Sequence, residues 1–301
     1  MAKSYAALWH VPTPLFHTIL TREIGGVTFL KSRKLFFFII ALVSIVALIL
    51  AREPEEEHIM VRIEGENSSM LMPAEEYMLG EMAAVTDPEY EIECQKALAV
   101  LIRGNLEKKR NLQEKEISTD ESFCNFFTRR RMYGANQQQY EEKLQRAIME
   151  TSGLIAVSGN YILEGNYHAV SAGATRNAKD SDSVSCDKSM EAADFFYQKE
   201  IKKQLIDSLT VEKRDTAGYV ETMKLDGKVV SGEFFREKFD LPSANFDIEE
   251  TEDAYLITTR GKGHGLGMDI YYANELAKQG YNYNQILNYF FKDFILKKII
   301  V

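Results

Sequence analysis

The chain has 301 residues, of which 45% are hydrophobic and 27% are charged. This composition is typical of a folded protein and excludes wholesale disorder. Three cysteines without a CxxC pair exclude a disulfide framework, a zinc ribbon and c-type haem attachment. The formal charge of −9 argues against a nucleic-acid binder that acts through a general basic field.

An uncharged apolar stretch at residues 35–51 divides the chain into two unlike parts. As a helix it would span about 25 Å, the short end of what crosses a bilayer. The basic run KSRK precedes it and AREPEEE follows it, which predicts a cytoplasmic N-terminus. A cleaved signal peptide and a buried core helix are the alternatives. A small-x-small cleavage site is missing, and a lysine-rich flank is unusual for a core helix.

We therefore predict a single-pass cell membrane protein. Its parts are a cytoplasmic tail (1–34), a transmembrane signal anchor (35–51), a juxtamembrane spacer (52–58) and an extracytoplasmic domain (59–301).

Hydrophobic periodicity in the outer part predicts a mixture of helices and strands. In chain order we expect a strand at 58–65, helices at 74–85 and 89–107, helical spacing at 137–149, a hairpin or short meander at 154–171, a polar loop at 174–190, a helix at 191–210, short strands from 218 to 259 and a closing helical region at 268–291. Because no regular βαβ alternation is present, the predicted fold class is α+β, with a single mixed helix and strand domain.

The segment RGKGHGLG at residues 260–267 carries four alternate glycines around one histidine. It lacks the lysine and Ser/Thr ending of a P-loop, and its spacing differs from the dinucleotide-binding GxGxxG. The pattern predicts a tight, backbone-dominated turn. His264 within it has either an approachable imidazole or a hydrogen-bonding role that holds the turn together.

Four blocks of the outer part occur in the order of a known domain family. They are AEEYMLGEMAAVTDPEYEIECQKALAVLIRGNL (74–106), YHAVSAGAT (167–175), VSGEFFREKFDLPSANFDI (230–248) and RGKGHGLGMDIYYANELAKQGYNYNQILNYFF (260–291). Together they resemble the SpoIID/LytB domain over about residues 59–301. A signal anchor followed by this domain is similar to the layout of the family's sporulation branch, whose members trim peptidoglycan from the mother-cell membrane during engulfment.

The resemblance implies lytic transglycosylase chemistry on glycan strands that have lost their stem peptides. Such an enzyme cleaves the bond between N-acetylmuramic acid and N-acetylglucosamine without water and leaves a 1,6-anhydromuramyl end. One carboxylic acid suffices, acting first as acid and then as base, whereas ordinary glycoside hydrolases use two. The implied partners are glycan strands and the other engulfment membrane proteins, stage II sporulation proteins P and M. We predict no cofactor.

Val85 occupies the position of the family's catalytic glutamate. Glu81 lies one helical turn earlier on the same face and is either an ordinary solvated glutamate or the displaced acid. Asp87 is the remaining candidate. The alternative to an enzyme is a catalytically silent homologue that binds peptide-free glycan or activates an amidase.

Further site residues follow from the matching motif positions. The resemblance implies substrate-binding roles for Arg103, His168, Ser171, Thr175 and His264. The family's zinc-binding C-D-x-x-H-C stretch corresponds to FCNFFTRRRMYG (123–134), which keeps only Cys124. A zinc site needs about four ligands, so we predict no metal. Cys94 and Cys186 are expected to be buried thiols, and a bridge between them is the alternative.

Overall fold

The computed structural model describes residues 40–44, 60–64, 69–112, 116–119, 123–179 and 181–299. Residues 1–55 and 56–301 are two separate units. The predicted tail and spacer and most of the predicted anchor lie outside the described residues, and residues 40–44 are helical. Within the described part of the chain, no helix is both long and apolar enough to span a bilayer.

The predicted mixture of helices and strands after residue 59 is confirmed. The helices are α1 (Ala74–Val85), α2 (Ile92–Leu112), α3 (Phe126–Tyr133), α4 (Gln137–Glu150), α5 (Gly232–Lys238), α6 (Ile270–Lys278) and α7 (Tyr283–Phe290). The strands are β1 (Met60–Glu64), β2 (Ser69–Pro73), β3 (Glu116–Thr119), β4 (Leu154–Ser158), β5 (Tyr161–Ile162), β6 (Tyr167–His168), β7 (Phe196–Lys202), β8 (Leu209–Arg214), β9 (Val220–Leu225), β10 (Lys228–Ser231), β11 (Phe246–Glu250), β12 (Ala254–Arg260), β13 (Met268–Asp269) and β14 (Ile295–Lys298).

Small sheets replace the single large sheet that a βαβ protein would have. Three-stranded sheets have the orders β2–β1–β3, β10–β9–β8, β11–β12–β7 and β14–β4–β5, and β13 pairs with β6 alone. The pairing of β13 with β6 is parallel, and it sets Met268 opposite Tyr167 and Asp269 opposite His168. The second and fourth sequence blocks are therefore neighbours in the fold.

Helix α1 spans the residues that the sequence predicts. Glu75 and Glu76 in its first turn complement the positive end of the helix dipole. The helix ends before Asp87, because a residue that precedes proline is disfavoured in the α conformation. Asp87 instead forms a turn, accepting a hydrogen bond from the backbone N–H of Glu89 at 2.8 Å. This turn delays the start of α2 to Ile92, three residues after the predicted position.

The predicted helix at 191–210 is wrong. The segment contains β7 and the beginning of β8, and β7 pairs antiparallel with β12 over seven residues. Within β7 only Ile201 is buried, so the segment has no apolar helical face to pack. Pairing with β12 satisfies its backbone groups instead. Helices α3 and α5 and strands β2, β3, β13 and β14 were not predicted.

The hydrophobic core has two main parts. The first is formed largely by α1, α2, α4, α6 and α7, and α2 contacts the other four. The second is formed by strands β7 to β12 with α5. The glycine run 261–267 connects β12 in the second part to β13 in the first. Motif residues on that run therefore lie at the junction of the two parts.

Arg103 is a buried structural cation of α2. It is 3% exposed, and its guanidinium donates to the carbonyl oxygens of Ile148, Thr151 and Leu154 at 3.0, 2.8 and 3.2 Å. The first two carbonyls lie at the C-terminal end of α4, where intrahelical donors are missing. Arg103 thus ties α2 to α4 and β4, and the expected substrate-binding role does not fit its position.

Replacing Arg103 should destabilise the fold. Arg103→Met removes the donors and leaves buried carbonyls unsatisfied, so the free energy of unfolding should fall by about 2–4 kcal/mol in urea denaturation followed by circular dichroism. Arg146→Met is the matched control, because the Arg146–Glu150 pair is exposed at 3.9 Å. The control should change stability by less than about 0.5 kcal/mol. Equal stability of the two variants would contradict the structural role.

Candidate active site

Glu81 is a buried carboxylate on α1. It is 3% exposed, and its neighbours Met78 and Met82 are also buried. The solvated alternative from the sequence is therefore wrong. A carboxylate in such a place needs hydrogen-bond donors to offset its lost hydration.

The Tyr167 hydroxyl supplies one such donor, bonding to Oε1 of Glu81. Tyr167 is half-buried in β6, at the start of the second sequence block, whereas Glu81 belongs to the first block. The contact therefore joins two motifs that lie 86 residues apart in the chain. The sequence predicts that Glu81 shares a helix face with position 85, but it does not indicate that Tyr167 is its hydrogen-bond partner.

His168 and His264 lie next to each other, with ring centroids 5.8 Å apart. Nδ1 of His168 donates to the carbonyl oxygen of Leu266, and Nδ1 of His264 accepts from the backbone N–H of Leu266, both at 3.0 Å. The His264 ring also hydrogen-bonds the backbone of Tyr167. These bonds fix opposite tautomers on the two rings, because a carbonyl only accepts and an amide N–H only donates.

Both histidines are neutral at pH 7. Burial is the main cause that lowers the pKa of His264 to about 4, with His168 and nearby arginines adding to it. Burial also lowers the pKa of His168, although the Asp269 carboxylate opposes the shift. At neutral pH neither ring carries a proton to give as an imidazolium, so both serve as hydrogen-bonding groups.

The glycine run approaches its neighbours too closely for side chains. A Cβ atom at Gly263 would lie 2.7 Å from Cβ of His168, and one at Gly265 would lie 2.5 Å from the Tyr219 ring. Both glycines have positive φ, at 108° and 77°. The run is an irregular segment rather than the predicted single tight turn, and isolated backbone bridges join its Lys262, Gly263 and Leu266 to Val170, Ser243 and Arg176.

Asp269 holds the second sequence block (167–175) in place through hydrogen bonds. It is fully buried and accepts hydrogen bonds from the backbone N–H of Ser171 at 2.9 Å and the Ser189 hydroxyl at 2.5 Å. Its other oxygen caps α6 by accepting from the N–H of Tyr272 at 3.0 Å. Ser171 is itself buried, and the Thr175 hydroxyl accepts from the backbone of Val184. Ser171 and Thr175 therefore build the loop, and the expected substrate contacts do not fit their burial.

Arg176 forms a charged cluster beside His264. Its guanidinium bonds Asp215 at 2.6 Å and Glu233 at 2.9 Å, and it donates to the His264 carbonyl at 3.3 Å. It also lies over the Tyr219 ring, 5.0 Å from the centroid. The cluster orients the backbone of the glycine run.

The segment that corresponds to the zinc-binding stretch does not fit zinc. The Cys124 thiol lies 3.8 Å from the Met132 sulfur, and Arg129 donates to the Cys124 carbonyl. A cation beside one thiol is not a tetrahedral donor set. Cys94 and Cys186 are buried free thiols.

Residues 64–157 match the sequence pattern of the Stage II sporulation protein family, SpoIID. The chain is 27% identical over 253 residues to stage II sporulation protein D of Bacillus subtilis strain 168, covering 73% of each chain. It is 26% identical over 253 residues to the protein of the same name from Bacillus amyloliquefaciens, again covering 73% of each. The chain is a homologue of SpoIID-family sporulation proteins. The resemblance predicted from the sequence is therefore confirmed.

Of the three candidate positions for an acid in this SpoIID homologue, only Glu81 is enclosed. Val85 is half-buried against the helical core and carries no ionisable group. Asp87 is exposed, and its carboxylate is engaged in the turn before α2. Glu81 is thus the carboxylate that lies against the second motif block.

Sequence reasoning missed Tyr167, Arg176 and Tyr219. The signal for Tyr167 was present, because it opens the second sequence block, directly before His168. Asp269 lies in the fourth sequence block, but its buried role could not be read from the sequence. Arg176 and Tyr219 lie outside the motif positions and could not be found from the blocks.

The lowered pKa of His264 predicts a pH-dependent stability. The unfolded chain binds a proton to this ring below about pH 6.5 and the folded chain only below about pH 4. The contribution of His264 is therefore fully present above pH 6.5 and is lost as the pH falls towards 4. Urea denaturation at several pH values should show a steeper loss of stability in the wild type than in His264→Gln. The same pH dependence in both proteins would contradict the burial of this ring.

Proposed function

We propose that the chain is a peptidoglycan lytic transglycosylase of the sporulation type, with Glu81 as its catalytic acid. The observation that carries the proposal is the buried Glu81 carboxylate bonded to the Tyr167 hydroxyl, where the first and second motif blocks meet. Homology to SpoIID-family sporulation proteins supports the sporulation role.

The proposed reaction needs one carboxyl group and no water. Glu81 in its protonated form gives its proton to the glycosidic oxygen as the bond from C1 of N-acetylmuramic acid breaks. The Glu81 carboxylate then takes the proton of the muramyl 6-hydroxyl, whose oxygen forms the new bond to C1. The products are a 1,6-anhydromuramyl end and a free 4-hydroxyl on N-acetylglucosamine, and Glu81 is protonated again.

Tyr167 acts as a positioning residue in this proposal. A hydroxyl both donates and accepts, so Tyr167 remains a hydrogen-bond partner of Glu81 in either protonation state. It thereby holds the carboxyl in one orientation through both proton transfers. The neutral His264 ring bonds the backbone of Leu266 and of Tyr167, and it thereby helps to hold the backbone at Tyr167 in place.

We propose further that residues 35–51 anchor the protein in the membrane with the domain outside the cytoplasm. The apolar run and the basic residues before it support this topology. Such a topology would bring the domain to the glycan strands and to stage II sporulation proteins P and M.

A second candidate function follows from Val85. Because the family's glutamate position holds no carboxylate, a silent homologue that binds peptide-free glycan or activates an amidase would keep the fold and lose the chemistry. Retained binding without bond cleavage would favour this alternative.

Glu81→Gln tests the catalytic assignment. On peptide-free glycan strands the full chain should release 1,6-anhydromuramyl ends, detected by mass spectrometry, and Glu81→Gln should reduce their rate by roughly 10²–10⁴-fold. Glu76→Gln is the matched control, because Glu76 is an exposed glutamate on the same helix, and it should retain the wild-type rate. Equal activity of Glu81→Gln and the control would exclude Glu81. No anhydro ends from the wild type, with glycan still bound, would favour the silent homologue.

A further inference from the structure

Helix α3 presents two aromatic and two basic side chains to solvent. Phe126 is 46% exposed and Phe127 is 77% exposed, which is unusual for phenylalanine. Arg130 and Arg131 are also exposed. We name these four residues the α3 surface.

The helical spacing of the α3 surface creates two matched pairs. Residues four apart lie on the same side of a helix, so Phe126 is beside Arg130 and Phe127 is beside Arg131. Each pair sets an aromatic residue and an arginine on the same side of the helix. A ring can stack on the apolar face of a sugar, and a guanidinium binds a carboxylate through two parallel hydrogen bonds.

The two surface arginines differ from their neighbour Arg129. Arg129 is buried and bonds Glu141 at 2.9 Å, which fixes α3 against α4. Arg130 and Arg131 form no ion pair with any residue that the structure describes. In a chain with a formal charge of −9, these two free cations therefore make a local positive surface.

The segment that leads into the α3 surface packs against α1 beside Glu81. Gly80, the residue before Glu81, accepts a hydrogen bond from the backbone N–H of Cys124 at 3.1 Å. Phe123 stacks over Tyr77 on the same helix, with ring centroids 5.8 Å apart. Only three residues of chain lead from Phe123 to Phe126, a reach of at most about 11 Å.

We propose that the α3 surface is a subsite for glycan strands that have lost their stem peptides. This inference rests on the proposed function. Removal of the peptide leaves a free lactyl carboxylate on each N-acetylmuramic acid, and that carboxylate is an amide in the intact strand. Arg130 and Arg131 pair with these carboxylates, and Phe126 and Phe127 stack on the sugar rings between them. The α3 surface thereby selects stripped strands and delivers them to Glu81.

Binding, measured separately from cleavage, tests this subsite. The parent protein is the full chain carrying Glu81→Gln, so that strands are not consumed during titration. Adding Arg130→Gln and Arg131→Gln should raise the Kd for peptide-free glycan about fivefold to tenfold. The affinity of the parent protein should fall as the salt concentration rises. Adding Phe127→Ala to the parent should raise the Kd by a similar factor. An N-acetylglucosamine polymer, which lacks the carboxylate, should bind the parent and the arginine variant equally.

Lys202→Gln with Lys228→Gln is the matched control. It removes the same charge from exposed positions on β7 and β10, two strands that belong to the second part of the core. This control should leave the Kd for glycan unchanged. Unchanged Kd in the arginine variant, or an equal loss in the control, would overturn the subsite. It would also be overturned if the arginine variant lost binding only to phosphatidylglycerol vesicles, which would make α3 a lipid-binding surface.

The subsite and the proposed function fail in different ways. If glycan binding depends on the two arginines but the wild type releases no anhydro ends, the subsite stands and the transglycosylase proposal is excluded. If the wild type releases anhydro ends but the arginine variant binds glycan unchanged, the transglycosylase proposal stands and the subsite is excluded.

Discussion

The site depends on the close approach of the glycine run 261–267 to the second motif block. His168 and Tyr219 occupy space that side chains at Gly263 and Gly265 would otherwise fill. Asp269, two residues after the run, holds the same block through the backbone of Ser171. The parallel pairing of β13 with β6 then fixes the backbone of Tyr167, whose hydroxyl reaches Glu81 on α1. The contact between Tyr167 and Glu81 therefore depends on backbone packing as much as on the two side chains.

Two neighbouring turns of α1 place very different side chains against the core. Position 85 holds an apolar residue that packs on the helical core, and a carboxylate lies one turn earlier at Glu81. A buried carboxylate without a donor would be costly, and the tyrosine at position 167 offsets that cost by donating a hydrogen bond. Val85 is thus apolar where the helix packs on the core, and the buried Glu81 carboxylate has the Tyr167 hydroxyl as a partner.

The sequence pattern predicted those helices and strands whose formation depends on residues close together in the chain. The bounds of α1 follow from its apolar spacing and the Asp87–Pro88 stop, whereas residues 196–202 form a strand only because β12 pairs with them. The motif blocks identified His168 and His264 but not the roles of the other polar residues. Arg103 bonds a carbonyl 45 residues away, and Tyr167 bonds a carboxylate 86 residues away. Such partners depend on the tertiary fold, and a single sequence does not specify them.

A crystal structure of the Glu81→Gln chain with a peptide-free glycan fragment would test the account most directly. We expect the scissile glycosidic oxygen to lie within about 2.6–3.2 Å of the side chain at position 81, with Tyr167 beside it. A fragment bound with that oxygen next to another carboxylate, or with no carboxylate in reach, would contradict it.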